Sequence, residues 1–157
     1  MSVAAVAKGD LAPSFKLPSK PREVVDLDSY LGKDRVVLLF FPLAFSSVCT
    51  AEMCQMRDDW QKYASVGAKV FGISVDSPFV TERFRQAENI PFPILSDFNK
   101  DVSRLYGVLH EDLMGLKGVS KRAAFVIDAD GRVTYAWSTE DPGIQVSFGE
   151  IEAALRH

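Results

Sequence analysis

The sequence predicts an α/β fold, and three observations lead to that prediction. Two largely apolar runs, Val36 to Phe41 and Lys69 to Val75, are typical of buried strands. Each run is followed by a segment with apolar residues at helical spacing, which indicates a strand–helix–strand–helix half with parallel strands. The pair Asp130-Gly131 then separates two further apolar runs, which is a strong signal for a β-hairpin. Helices are therefore expected on both sides of a mixed sheet.

The other elements follow from local signals. Phe15 to Leu17 and Val24 to Leu27 alternate in polarity around the proline-rich Pro18 to Arg22, which predicts an N-terminal β-hairpin. Leu27 to Gly32 predicts a short helix that ends at its glycine. The remaining predicted helices cover 50–65, 78–88, 99–105 and 148–155, and the remaining strands cover 91–95, 123–128 and 133–137. This order is a thioredoxin-like layout, expected to form one domain over residues 1–157.

Composition narrows the functional classes. The 157-residue chain has a net charge of −3 without a basic stripe, so no nucleic-acid partner is predicted. No apolar stretch approaches the roughly 20 residues of a membrane helix, and residues 1–8 lack the pattern of a secretory signal. A cytoplasmic location without membrane association is expected, where cysteines are free, metal-bound or catalytic. Two cysteines and two histidines show no zinc spacing, so no metal or other cofactor is predicted.

Cys49 is the residue that points most directly to chemistry. It follows the strand Val36 to Phe41, and Pro42 ends that strand because proline has no N–H for the ladder. The sulfur therefore lies where a strand-to-helix connection enters a helix, and unpaired N–H groups there favour an anion. The thiolate is such an anion and the nucleophilic form of cysteine. The alternative is a small buried hydrophobic residue.

The spacing Pro42-x-x-x-Ser46-x-x-Cys49 resembles the active-site motif of the peroxiredoxins, thiol-dependent peroxidases with a thioredoxin fold. The resemblance covers most of the chain. It continues through the segments 40–42, 72–77, 92–97, 106–108 and 122–128.

The resemblance implies roles for five residues around Cys49, the peroxidatic cysteine. Arg122 is expected to contact sulfur and peroxide, Ser46 to offer a hydroxyl to the peroxide and the sulfur, and Pro42 to shield the sulfur. Glu52 matches an acid that orients the arginine, or is a first-turn carboxylate that complements the helix dipole. The N–H groups of Val48 and Cys49 are expected to hold the oxygen under attack.

Cys54 lies five residues after Cys49, a spacing similar to the bacterioferritin-comigratory (PrxQ) branch, in which the second cysteine resolves the sulfenic acid. An intact helix separates such residues by roughly 8–9 Å between Cα atoms, and a disulfide requires about 4.4–6.8 Å. The helix must therefore unwind if the bond forms. The segments 42–46 and 92–97 look more like the AhpE branch, whose members can work with one cysteine. Cys54 is thus a resolving thiol or a core residue.

The implied partners are a peroxide, a thioredoxin-like, glutaredoxin-like or low-molecular-weight thiol reductant, and a second copy of the chain in a homodimer. Four apolar residues either line a pocket for organic peroxides or belong to the ordinary core: Leu43, Phe45, Phe79 and Tyr106. Competing functions are a peroxide sensor, a disulfide carrier, and a structural module with an inert cysteine. A carrier normally needs Cys-x-x-Cys, which the chain lacks.

Overall fold

The computed structural model describes residues 6–156 and contains a five-stranded mixed sheet with strand order β5-β4-β3-β8-β9. The strands are β1 Lys16–Lys20, β2 Glu23–Asp26, β3 Arg35–Phe40, β4 Ala68–Ser74, β5 Ile94–Ser96, β6 Leu109–His110, β7 Val119–Ser120, β8 Arg122–Ile127 and β9 Val133–Thr139. The helices are α1 Ser47–Asp58, α2 Trp60–Ala64, α3 Pro78–Ala87, α4 Asp101–Leu105 and α5 Phe148–Leu155. A 3₁₀ turn covers Leu27–Ser29.

The central strand β3 is buried on both faces, which explains its unbroken apolar sequence. Val37 and Leu39 join one core cluster with side chains of α1, α2, α3 and α5. Val36, Leu38 and Phe40 point to the opposite face and pack with the N-terminal hairpin and α4. Successive side chains of β3 alternate between the two faces of the sheet and therefore contribute to two separate cores.

The sheet joins a parallel half to an antiparallel half. Strand β3 pairs in parallel with β4, and β4 pairs in parallel with the edge strand β5. On its other side β3 pairs antiparallel with β8, which continues antiparallel into β9. The predicted α/β fold with a mixed sheet is confirmed, and its parallel half places the loop after β3 and the loop after β4 at the same sheet edge.

Helix α1 differs from the prediction at both ends. It begins at Ser47 rather than Thr50, because Ser46 adopts the extended conformation of an N-cap, a position that serine favours. It ends at Asp58 rather than continuing to Ser65, and Asp59 leaves the helical region before α2. Aspartate is a poor residue for a helix interior, which explains the break. Cys49 therefore lies inside the first turn of α1.

Smaller differences concern the hairpin and the loops. Strand β1 runs through Pro18 to Lys20, and the turn contracts to Pro21 and Arg22, whose φ is 70°. The predicted helix to Gly32 is only the 3₁₀ turn that ends at Ser29. The two-residue strands β6 and β7 form a small sheet that was not predicted, because periodicity cannot reveal elements so short. Within residues 6–156, no helix has the length and apolar character to cross a membrane.

Candidate active site

Cys49 is buried in the first turn of α1, at the edge where β3 ends. The first main-chain bond of this turn runs from Thr50 N–H to Ser46 O at 2.8 Å. By helix geometry, the N–H groups of Ser47, Val48 and Cys49 precede that bond and have no partner within the helix. The sulfur therefore lies beside the positive end of the helix dipole, which stabilises nearby negative charge.

Arg122 brings a permanent positive charge to this sulfur. It is the first residue of β8, and its neighbour Ala123 pairs with Phe40 at the end of β3. Nη2 donates to Cys49 Sγ at 3.1 Å, and Nε donates to the Pro142 carbonyl at 3.1 Å. The preceding Lys121 instead pairs with Glu140 at the surface, so the lysine does not compete for the sulfur.

Glu52 holds the other side of the same guanidinium. Arg122 Nη1 donates to Glu52 Oε2 at 2.5 Å, and the two side chains are 1% and 0% exposed. Burial raises the pKa of Glu52 to about 7, although the attraction of Arg122 acts in the opposite direction. Burial also opposes the charge on Arg122, but Glu52 and Cys49 hold the pKa of the guanidinium above its ordinary value. Arg122 therefore stays charged and is held in one orientation.

The loop between β3 and α1 is fixed by Asp76, which follows β4 at the same sheet edge. Asp76 Oδ2 accepts the Ala44 N–H at 2.7 Å and the Ser74 hydroxyl at 2.7 Å. The Ser96 hydroxyl donates to the Asp76 carbonyl at 2.5 Å, which links the loop to β5. Three neighbouring strand ends thus hold the segment that carries the cysteine.

The same loop contains a strained residue. Phe45 has a φ of 68°, a conformation that costs a residue other than glycine about 1–2 kcal/mol. The residue is 52% exposed, and its ring meets Phe84 of α3 edge-on, with 5.1 Å between centroids. This contact and the Asp76 anchor act on adjacent residues, so the packing of α3 helps to hold the loop in its strained form.

Ser46 and Pro42 both lie at the cavity above the sulfur, in different ways. Pro42 is buried beside Cys49, as expected for a residue that shields the thiol. The Ser46 hydroxyl donates to the Leu43 carbonyl at 3.0 Å, within its own turn, whereas contact with the sulfur region was predicted. At the N-cap the shortest route for a serine hydroxyl is to local main-chain groups, which explains the difference.

An apolar cavity of about 300 Å³ opens onto Cys49 and Arg122. Its apolar wall comes from the loop before α1, the first turn of α1 and the turn after β6, and includes Pro42, Leu43, Val48, Leu113, Met114 and Leu116. Leu113 and Leu116 exchange two main-chain hydrogen bonds of 2.8 and 2.9 Å, which makes this turn a small hairpin. A small polar reactive centre thus lies at the base of an apolar recess.

The four predicted pocket residues lie in four different locations. Leu43 lines the cavity. Tyr106 is core, fully buried against Phe40 and Phe125. Phe79 is 72% exposed and lines a different recess beside β1, and Phe45 is an exposed loop residue. Only the first of the four therefore faces the space in which a peroxide would meet the sulfur.

Comparison with known proteins decides the family. The sequence profile described as "AhpC/TSA family" matches residues 8–136. The chain belongs to the AhpC/TSA family. It is 37% identical to peroxiredoxin Bcp of Escherichia coli over 132 residues, which are 82% of this chain and 83% of the relative. It is 34% identical to alkyl hydroperoxide reductase E of Mycobacterium bovis over 137 residues, 86% of each chain.

A solved structure supports the same family assignment. The crystal structure of peroxidoxin BcpB from Mycobacterium tuberculosis superimposes with a TM-score of 0.84 and 32% identity, covering 96% of this chain and 97% of that one. The resemblance to the peroxiredoxins and the thioredoxin-like fold predicted from the sequence are both confirmed.

In this peroxiredoxin Cys54 points away from the reactive centre. Both cysteines are free thiols on the continuous helix α1, but Cys49 contacts Arg122 of β8 and Cys54 contacts Glu88 at the end of α3. Burial raises the pKa of the Cys54 thiol, and the hydrogen bond to Glu88 raises it further. A disulfide between the two sulfurs requires α1 to unwind.

Sequence reasoning missed several groups at this peroxiredoxin site. One sequence feature could have pointed to Asp76: it follows a predicted parallel strand, and α/β proteins place their sites at the carboxyl ends of such strands. No sequence feature pointed to the Pro142 carbonyl or to the turn Leu113–Leu116, because they lie on loops far from Cys49 in the sequence. Glu88 likewise reaches Cys54 only through the packing of α3 on α1.

Proposed function

We propose that this peroxiredoxin reduces hydrogen peroxide and organic hydroperoxides through a sulfenic acid on Cys49. The Cys49 thiolate attacks one peroxide oxygen and forms the S–O bond, while the O–O bond breaks and its electron pair leaves with the other oxygen as hydroxide or alkoxide. A proton then converts that product to water or an alcohol. The observation that carries this proposal is the 3.1 Å contact between Arg122 Nη2 and Cys49 Sγ in a buried site.

The groups around the sulfur can stabilise both the attacking sulfur and the departing oxygen. Arg122 and the start of α1 place positive charge beside the sulfur that attacks the peroxide. The same guanidinium and the unpaired N–H groups of Val48 and Cys49 are positioned to stabilise the charge that develops on the departing oxygen. Pro42 limits access of water, so these electrostatic interactions act in a less polar medium.

The shape and chemistry of the cavity support organic hydroperoxides as substrates. Its volume of about 300 Å³ exceeds what hydrogen peroxide occupies, and its wall is almost entirely apolar. Burial of an alkyl group against Leu43, Leu113 and Leu116 would contribute binding free energy that hydrogen peroxide cannot gain. Both substrate classes present the same O–O bond to Cys49.

The sulfenic acid then has to be reduced by a thiol. We propose that Cys54 resolves it after α1 unwinds locally, and that a thioredoxin-like, glutaredoxin-like or low-molecular-weight thiol reduces the resulting disulfide. The contact of Cys54 with Glu88 gives this route an energetic barrier. Direct reduction by an external thiol is the competing route. Either route needs the reducing conditions that the cytoplasm provides.

A homodimer is proposed from the surface next to the site. Phe45, Met114, Leu116 and Ile144 are each at least 45% exposed and lie on loops that border the cavity. Exposed apolar residues on adjoining loops are typical of protein interfaces. Sedimentation velocity of the reduced protein would show a dimer, and a monomer at all tested concentrations would contradict it.

The central experiment treats reduced protein with one equivalent of hydrogen peroxide and determines the oxidation state of each cysteine by mass spectrometry. The wild type is expected to lose two hydrogens as the Cys49–Cys54 disulfide forms. Cys54→Ser is expected to accumulate a sulfenic acid on Cys49, and Cys49→Ser is expected to stop peroxide consumption. Retained turnover in Cys49→Ser would overturn the proposal, and oxidation without turnover by any thiol reductant would favour a peroxide sensor.

A further inference from the structure

Cys54 is tied to the C-terminal end of α3. Its thiol donates to Glu88 Oε2 at 3.5 Å, and both side chains are half-buried. Glu88 is the C-cap of α3, and its N–H donates to the Phe84 carbonyl at 3.1 Å. The carboxylate that accepts the thiol is therefore carried by a residue fixed at a helix terminus.

A second hydrogen bond joins the same two helices. Arg57 Nη1 donates to the Glu88 carbonyl oxygen at 2.7 Å, one turn beyond Cys54 on α1. Glu88 thus holds the C-terminal half of α1 through its side chain and through its main chain. That half has to move if Cys54 is to approach Cys49, because the two thiols contact different elements while α1 is intact.

We propose that Glu88 is a positioning residue that slows formation of the Cys49–Cys54 disulfide by holding Cys54 against α3. The inference rests on the proposed function, since it requires Cys54 to resolve the sulfenic acid. Two effects act in the same direction. Unwinding of α1 has to break the S–H···O bond to Glu88, and the Glu88 carboxylate disfavours a thiolate on Cys54 while the contact lasts.

The step that Glu88 slows is a balanced condensation. The Cys54 sulfur attacks the Cys49 sulfenic sulfur, the S–O bond breaks and the S–S bond forms. The departing hydroxyl takes the proton of the Cys54 thiol and leaves as water. Cys49 is reduced from the sulfenic state in this step, and Cys54 is oxidised by the same amount.

Slow resolution extends the lifetime of the sulfenic acid. During that time an external thiol can form a mixed disulfide with Cys49 and release water. A second peroxide molecule can instead transfer one oxygen to give the sulfinic acid and leave as water or an alcohol. The contact with Glu88 therefore sets how the sulfenic acid is divided among these three outcomes.

The test compares wild type with Glu88→Gln and Glu88→Ala after rapid mixing with one equivalent of hydrogen peroxide. Samples are quenched by thiol alkylation, and mass spectrometry follows both the loss of reduced Cys49 and the appearance of the disulfide. The disulfide is expected to form about fivefold faster in Glu88→Gln, because a charge-assisted hydrogen bond is lost. Sulfenic-acid formation at Cys49 is expected to keep its wild-type rate.

Two further readouts separate this role from a general structural one. Arg57 and Asp58 of α1 also face Cys54, and both are unchanged in Glu88→Gln. The pH profile of disulfide formation is expected to shift to lower pH in the variant, since Glu88 disfavours the Cys54 thiolate. Amide hydrogen exchange of residues 54–58 is expected to be faster, because α1 has lost one of its ties to α3.

Glu23→Gln is the matched control, since it removes one exposed carboxylate from the N-terminal hairpin. Wild-type kinetics are expected for this variant. A disulfide rate in Glu88→Gln that equals or falls below the wild-type rate would overturn the inference. Absence of any Cys49–Cys54 disulfide in wild type, with the sulfenic acid reduced by external thiol, would also overturn it and leave the peroxidase function standing. Failure of Cys49 to oxidise would overturn both.

Discussion

Arg122 donates to Cys49 Sγ at 3.1 Å across 73 positions of sequence. The contact depends on the antiparallel pairing of β8 with β3, which places the first residue of β8 beside the end of β3. Glu52, one turn after Cys49 on α1, accepts a second N–H of the same guanidinium. Helix α1 therefore supplies both the nucleophile and the residue that orients its cation, while β8 supplies the cation.

Replacement of Arg122 tests whether charge or geometry matters more. Arg122→Gln removes the charge, and kcat/KM for hydrogen peroxide is expected to fall at least about 100-fold, as when a donor that stabilises a transition state is lost. Arg122→Lys keeps the charge but cannot donate to Cys49, Glu52 and Pro142 together, so an intermediate loss is expected. Stopped-flow measurement of peroxide consumption gives both values.

The exposed Arg132 provides the control for this pair of variants. Arg132→Gln removes an equal charge from the turn between β8 and β9, far along the strand from the cysteine. Its kcat/KM is expected to match the wild type. An Arg122→Gln variant that retained wild-type kcat/KM would remove the guanidinium from the mechanism.

Burial of Glu52 predicts a particular pH dependence of stability. The folded-state pKa of about 7 lies above the ordinary value of 4.5, so the folded protein keeps the Glu52 proton to higher pH than the unfolded chain does. The resulting contribution to the free energy of unfolding is fully present below about pH 4.5 and is lost as the pH rises through about 7. Its full size is about 3 kcal/mol at 1.36 kcal/mol per pKa unit.

Urea unfolding of Cys49→Ser and of Cys49→Ser/Glu52→Gln between pH 5 and 8 checks this dependence, with the thiol of Cys49 absent from both proteins. The difference in unfolding free energy between the two is expected to move in favour of the glutamine variant as pH rises. His110 is common to both proteins, so its titration cancels in the difference. A difference that stays constant across this range would show that Glu52 titrates as an ordinary carboxyl.

The part of the site predicted from sequence lies in segments with strong local signals. Pro42, Ser46, Cys49 and Glu52 fall in one short stretch, and a buried strand followed by a helix fixes their relative placement. Arg122 was predicted only through the resemblance to peroxiredoxins, since no local pattern joins it to the cysteine. The fold was also predictable from local signals, because β3, β4 and the hairpin β8–β9 have long, clear patterns of apolar residues.

The remainder depends on tertiary packing. Helix α1 begins three residues earlier than predicted because the N-cap conformation of Ser46, and not the apolar periodicity, decides its first residue. Asp76 contacts the loop before α1, and Glu88 contacts α1 itself. Contacts made by single residues of neighbouring elements produce no periodic pattern in the sequence. The turn at Met114 was missed because two-residue strands flank it.

Asp76 is predicted to hold the loop before α1 in its reactive form. In Asp76→Ala the Ala44 N–H loses its acceptor, and the strained Phe45 next to it keeps only the contact with Phe84. A decrease in unfolding free energy of about 1–3 kcal/mol is expected from the unsatisfied donor. A loss in kcat/KM of about tenfold is expected from misplacement of Cys49.

Asp76→Asn refines this test, because the amide oxygen can still accept one N–H and a smaller loss in kcat/KM is expected. Asp130→Ala, in the exposed turn between β8 and β9, is the control and is expected to behave as wild type. Stopped-flow kinetics and urea unfolding measure the two effects separately. Equal activity of Asp76→Ala and wild type would mean that the loop keeps its form without the anchor.

The wall of the cavity is predicted to set the preference among peroxides. Leu116 lies on the turn after β6 and is 45% exposed at the rim of the cavity. Leu116→Ser replaces an apolar contact for an alkyl group but leaves Cys49 and Arg122 in place. The ratio of kcat/KM for cumene hydroperoxide to that for hydrogen peroxide is expected to fall about tenfold, the discrimination that one or two methylene contacts provide.

Leu11→Ser is the matched control, because Leu11 is 63% exposed and lies outside the residues that line the cavity. Its ratio of kcat/KM values is expected to equal that of the wild type. Met114→Ser is expected to give a smaller change than Leu116→Ser, since Met114 is already 83% exposed to solvent. An equal loss for both peroxides in Leu116→Ser would show that the turn supports the fold of the site, and that the alkyl group binds elsewhere.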